Sequence, residues 1–192
     1  MASTQPSISA LDLDGNSYTV EQSLVRNKYV AYDGQGNVVL RGKQKLLKMK
    51  EEFPFVDGEG NEVFRVKAGG ILDVAGNYAI EDAETGERVA ILDNDYSIFQ
   101  DTWKVRDGQT EEKLAEINSR GAVVTMARNL LPFGELIPHK YEISDQQGRH
   151  VGAIDGQLSL KDRYEVTIDD ADSVPKEPVL AAAMVIDAIQ DH

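Results

Sequence analysis

Imidazoles stand at three positions, His139, His150 and His192, and no two share the spacing that sets a metal-binding pair on one helix face. The chain has no cysteine, which excludes thiolate metal sites, disulfides and cysteine nucleophiles together. It contains neither a Gly-x-Ser-x-Gly elbow nor a phosphate-cradling glycine loop. Carboxylates abound, with Asp93 near Asp95 and Asp169 beside Asp170, but in so acidic a chain such pairs arise by chance and solvate the surface. Catalysis would have to rest on one acid enclosed and perturbed by the fold. The residues therefore predict a protein with no enzymatic activity, cofactor or bound metal.

One run stands out against the acid background: Arg41, Lys43, Lys45, Lys48 and Lys50, with no acid before Glu51. Strand alternation sets Arg41, Lys43 and Lys45 on one face and Leu40, Gly42, Gln44 and Leu46 on the other. An anionic lipid headgroup or a phosphate is the ligand such a face would hold. The competing reading is a solvated outer face. Lysines guard sheet edges, and at molar salt a Debye length of ~3 Å removes long-range attraction. A second candidate is the apolar stretch 123–138, where Leu130, Leu131 and Phe133 surround a Pro-Phe-Gly turn. Exposed, it would suit a partner protein or a shallow membrane contact; buried, it is a strand pair and its plug.

The elements that position these groups must form within 192 residues, a length that allows one domain or two small ones and is ordinary for a single all-β barrel. Net charge is −13 at pH 7, which argues against general nucleic-acid binding because phosphate contacts need an excess of Lys and Arg. Acid spread through nearly every segment, with Lys scarce, predicts a protein kept soluble in concentrated salt, as in a halophile. The start, MASTQPSISALDLDG, lacks the basic and apolar regions of a secretory leader, and the longest apolar run, 179–186, is too short to span a bilayer. The expectation is a cytoplasmic chain with a loose arm over 1–16 and one domain over 17–192.

Partial apolar alternation predicts strands at 18–22, 29–32, 38–41, 53–56, 63–67, 78–81, 89–93, 103–106, 113–117, 123–127, 141–144, 150–154 and 164–168. A hairpin unit repeats beneath them. An aromatic-led strand ends at Asp33, Asp57, Asp82 or Asp145, and Gly36, Gly60, Gly86 or Gly148 follows before the next strand. The Asp side chain bonds the turn backbone and the glycine supplies positive φ. Asp12, Asp14 and Asn16, like Asp57, Glu59 and Asn61, cluster oxygen ligands but lack the spacing and closing glutamate of a helical calcium loop.

Residues 179–190 break the β pattern, following Pro175 and Pro178 and rich in helix formers. At 100° per residue the apolar side chains run nearly all the way round, interrupted by Asp187 and Gln190. A dozen residues rise ~18 Å, the height of five- or six-residue strands. A closed barrel of roughly twelve strands is wide enough to hold one helix. A helix lying across an open sheet would instead need a polar outer face.

With these features in hand the chain resembles the LURP-one-related family. The stretches that carry the resemblance are Tyr29-Val-Ala-Tyr-Asp-Gly-Gln-Gly-Asn, Gly42-Lys-Gln-Lys-Leu-Leu-Lys-Met-Lys, the turn Asp57-Gly-Glu-Gly-Asn, Asp101-Thr-Trp-Lys-Val, and the helix 179–189. Their order and spacing match from about Tyr18 onward. The resemblance implies a tubby-like fold, a twelve-stranded antiparallel barrel around a hydrophobic C-terminal helix, with phospholipid scramblases as distant relatives. It implies no established enzymatic activity. The phosphoinositide-binding residues of tubby domains have no residue-by-residue match in this chain. What remains is a binding or scaffold module with an unnamed protein partner, or a peripheral module for anionic lipid or phosphate using Arg41, Lys43 and Lys45.

Overall fold

A computed structural model of the chain describes residues 6–23, 28–43, 52–68, 77–96, 101–119, 140–157 and 162–190. Twelve strands precede one helix among them. The strands are β1 (Ser17–Ser23), β2 (Lys28–Tyr32), β3 (Val38–Lys43), β4 (Glu52–Val56), β5 (Glu62–Ala68), β6 (Asn77–Asp82), β7 (Arg88–Tyr96), β8 (Asp101–Asp107), β9 (Lys113–Ser119), β10 (Lys140–Ser144), β11 (His150–Gln157) and β12 (Asp162–Ile168). Each predicted strand coincides with one of these except 123–127, which lies outside the described residues together with the rest of the stretch 123–138.

Every strand pairs antiparallel with its sequence neighbour, and β1 pairs with β12, so the sheet closes. Closure brings Tyr18 opposite Val166 and Val20 opposite Tyr164. It leaves no free edge among the described strands, which removes the hazard of exposed strand edges there. The inward face can be followed around the ring through registered apolar pairs: Ala31 with Leu40, Phe55 with Phe64, Val66 with Ile80, Leu92 with Val105, Ile117 with Ile143, and Ile154 with Val166. All of these side chains are buried.

The helix, α1 (Lys176–Gln190), occupies the centre of the ring. From Val179 to Ile186 no residue exceeds 2% exposure, over more than two helical turns, so every face is covered. It packs against β7 and β8 and also against β12, on far-apart arcs of the ring. The expected enclosure is therefore observed. Its first turn begins at the Pro175 carbonyl, which accepts the Val179 N–H at 3.3 Å. Pro178 is tolerated there because first-turn N–H groups lack helical partners, and Glu177 complements the positive end of the helix dipole. Among the described residues no helix is long and apolar enough to cross a membrane.

Residues 6–16 correct the expectation of a loose arm. Ile8, Leu11 and Leu13 are buried in the main core. The Ser9 N–H donates to Asp82 Oδ2 at 2.5 Å, and Lys176 Nζ donates to the Leu13 and Gly15 carbonyls at 3.3 and 3.0 Å. No helical or strand period marks this segment, because its apolar residues are spaced to seat against the barrel end beside the start of α1 and not to form an element of their own.

Candidate functional site

The basic face is built by register. In β3, Leu40 is fully buried and Gly42 sits beneath Phe55, where a Cβ would come within 2.5 Å of that ring. Alternation then turns Arg41 outward, and it is exposed. Across the ladder Lys28 stands opposite Lys43, and Val30 opposite Arg41. Val56 of β4 lies on the other side of Arg41. Lys43 is described through its backbone register alone, and Lys45, Lys48 and Lys50 lie outside the described residues. The structure thus joins Arg41 and the Lys43 position to Lys28, an exposed residue that the sequence reading missed. Counting back from the Asp33 turn without a shift would pair Lys28 with Gly42; the bulge between Ala31 and Tyr32 moves it opposite Lys43.

The other described cations are engaged. Arg65 is held by Glu62 at 2.6 Å, and the Glu62 hydrogen bond pushes its pKa above the usual guanidinium value. Lys67 bridges Glu81 at 2.8 Å and Glu52 at 3.4 Å, and chiefly the Glu81 bond raises its pKa. Arg106 meets Asp93 at 2.5 Å and Glu111 at 3.3 Å, with the Asp93 bond the main cause of its raised pKa. Arg88 reaches Glu111 at 3.7 Å and Lys113 reaches Glu116 at 3.4 Å. Lys140 faces Asp155 at 3.8 Å, Arg163 faces Glu21 at 4.0 Å, and Lys104 stands in register between Asp93 and Glu116. Among the described residues the side chains of Lys28 and Arg41 have no ion-pair or hydrogen-bond partner.

The turn aspartates are committed at one end of the barrel. Asp33 Oδ1 accepts from the Gln35 and Asn37 N–H groups at 2.9 and 2.8 Å, and Oδ2 from Asn37 Nδ2 at 2.9 Å. Asp57 Oδ1 accepts from the Glu59, Gly60 and Asn61 N–H groups, and Oδ2 from Asn61 Nδ2 at 2.8 Å. Bonds from Asn37 and Asn61, above all through their side chains, hold both acids below the usual carboxylate range. Asp145 is buried, which works against ionisation, yet the Arg149 N–H and guanidinium outweigh that and lower its pKa. At Asp82 burial likewise opposes ionisation and is overcome by the Thr85, Ser9 and Glu84 N–H groups.

A fifth turn of this kind escaped the sequence reading. Asp107 Oδ1 accepts from the Gln109 and Thr110 N–H groups at 2.8 Å each. Its positive-φ position is Glu111, φ 62°, where the other four turns have glycine. The glycine signal was therefore displaced to Gly108, directly after the Asp, where a Cβ would lie 1.9 Å from the Arg88 carbonyl oxygen. Asp at the end of an aromatic-containing strand, followed by Thr three residues later as in the Asp82 turn, was the available signal. A ladder shift precedes each of the five turns, at Ala31/Tyr32, Phe55/Val56, Ile80/Glu81, Val105/Arg106 and Ile143/Ser144.

His150 sits between two acids, with Nδ1 3.0 Å from Glu142 and Nε2 3.6 Å from Asp169. His139 and His192 lie outside the described residues. Asp170 accepts from Ser173 Oγ at 2.6 Å, which lowers its pKa, so Asp169 and Asp170 face different partners. The Tyr18 hydroxyl donates to the Gly15 carbonyl at 2.6 Å, and burial pushes its pKa up to about 12. A depression of about 240 Å³, lined in part by Pro6, Leu13, Pro175 and Lys176, is open to solvent, and Lys176 donates to the Leu13 and Gly15 carbonyls. No group of three or more His, Asp or Glu side chains is arranged to hold a metal ion among the described residues.

Comparison with known proteins bears on the whole barrel. No curated protein matches the chain. The structure is similar to an X-ray structure of a protein from Arabidopsis thaliana, with a TM-score of 0.58 and 10% identity over 97% of this chain and 98% of that one. At that identity the likeness establishes the shared fold. The model of a family described as LURP-one-related matches residues 38–187, from β3 through most of α1. The chain belongs to the LURP-one-related family.

Proposed function

We propose that the chain is a non-enzymatic binding or scaffold protein of tubby-like architecture, working in the cytoplasm on a protein partner. One observation carries this reading: α1 fills the barrel and is covered on every face from Val179 to Ile186, so recognition falls to the outer wall and the ends. The carboxylates of the turn end favour the same reading, because their oxygens are occupied as backbone acceptors. The acid excess is suited to solubility in concentrated salt, the condition of a halophile. Cross-linking of the full chain in its native lysate, followed by mass spectrometry, should return a reproducible partner. A hydrolase or transferase activity abolished by replacing a single carboxylate would overturn the reading.

A second reading, a peripheral module for anionic lipid or phosphate using Arg41, Lys43 and Lys45, is favoured by the exposed and unpaired state of Arg41. Flotation with anionic and neutral liposomes, at low and at molar salt, tests it. Salt-resistant binding to anionic vesicles that disappears in Lys43→Glu/Lys45→Glu supports it; binding unchanged by those substitutions removes the basic face from the account.

A further inference from the structure

In a chain with 33 acidic residues against 20 basic ones, a cation without an acid beside it is the exception. Among the described residues two such cations, Lys28 and Arg41, lie on adjacent strands and the same outward face. The register places Lys43 directly across from Lys28. Val30 and Val56, which flank Arg41 in the ladder, carry no charge that would balance it.

We propose that the outward face of β2 and β3, centred on Lys28 and Arg41, docks an extended acidic segment of a protein partner. This rests on the binding-module reading and gives it a site and a chemistry. Charge complementarity selects the occupant. Lys28 and Arg41 stand diagonally across the ladder, about 7–8 Å apart. Alternate residues of an extended chain are about 6.8 Å apart, so carboxylates at every second position reach both cations. Val30 and Val56, half-buried on either side of Arg41, offer an apolar floor to the intervening residues. At low salt an anionic bilayer fits less well: its charged plane repels the rest of a chain of net charge −13, whereas a narrow segment meets the patch alone. A second copy of this chain meets the same repulsion.

The test is titration of the isotope-labelled full chain with poly-L-glutamate at low and molar salt, read by backbone amide shifts. The expected result is a set of shifts confined to residues around Val30, Arg41 and Val56, weakening as salt rises. Lys28→Glu/Arg41→Glu, checked for an otherwise unchanged spectrum, should weaken binding at least about tenfold. Lys140→Glu, which reverses an exposed cation elsewhere, should leave it unchanged. Absence of shifts at β2 and β3, or shifts that persist in the double variant, overturns the proposal. So does binding to phosphatidylserine vesicles without binding to poly-L-glutamate, which transfers the face to lipid. A lysate partner cross-linked equally by wild type and double variant overturns this site and keeps the binding reading; no partner for wild type overturns the binding reading itself.

Discussion

The turn end of the barrel and the outer face of β2 and β3 treat charge in opposite ways. At the turn end, Asp33, Asp57, Asp82, Asp107 and Asp145 each close a hairpin by accepting backbone N–H groups within five residues of themselves. On the β2–β3 face, Lys28 and Arg41 are exposed, and their side chains have no partner among the described residues. The lesson is that charge density does not locate a working surface. The turn aspartates are internal fittings, each answered by the turn it shapes, while two cations point outward with no side-chain partner among the described residues.

The strongest challenge to this comparison is to remove the support that both regions share. Met184 is fully buried in α1. Met184→Lys should leave no folded protein, because an unpaired charge in the barrel centre costs more than about 4–5 kcal/mol, a large part of a domain's stability. Circular dichroism and a thermal melt read the outcome, and a cooperative transition near wild type would place the helix outside the barrel.

At the turn end, Asp82→Ala should cost about 2–3 kcal/mol in urea unfolding, since the N–H groups of Ser9, Glu84 and Thr85 lose their acceptor in a buried setting. A loss below about 0.5 kcal/mol would mean that water replaces the carboxylate and that the turn acids are surface charges after all. The same carboxylates set a pH dependence. The folded-state pKa values of Asp33, Asp57, Asp82, Asp145 and Asp170 are depressed, so their contribution is complete above the unfolded value of about 3.9 and is lost as pH falls through the folded values. Stability should therefore drop on acidification below about pH 4. A flat profile there would contradict the turn-end account.

A smaller effect is expected at Gly60, whose φ of 98° suits glycine and whose Cβ position is open. Gly60→Ala should destabilise by about 1 kcal/mol through backbone strain alone. The smallest effect belongs to the other region. Lys28→Ala and Arg41→Ala should each change stability by less than about 0.5 kcal/mol. A marked loss would show that these cations hold the fold, and the contrast between the two regions would collapse.

Much of the barrel was legible in the alternation of its strands, because a wall with one face on the core writes its period into every segment. Four of the five Asp turns were legible for a similar reason: acceptor, donors and glycine fall within a few residues. The Asp107 turn was hidden because Glu111 occupies the left-handed position. The docking of Ile8, Leu11 and Leu13 was hidden because their seat is assembled from distant residues, among them Asp82 and Lys176. At the candidate site Arg41 and Lys43 could be placed on a common face by counting, whereas Lys28 joined them only through a bulge that shifts the ladder.

By itself the sequence determined that residues 179–186 must be surrounded, that short strands must do the surrounding, and that the turn aspartates would be consumed locally. All three follow from interactions between residues near one another in the chain, or from a helix with no face that tolerates water. The tertiary structure decided that β1 meets β12 and that Lys67 and Arg106 find carboxylates across the ladder where, among the described residues, Lys28 and Arg41 do not. The physical reason is that a side chain's counter-ion depends on ladder register and ring closure. A shift of one residue in either exchanges which charges face each other, and no local pattern records it.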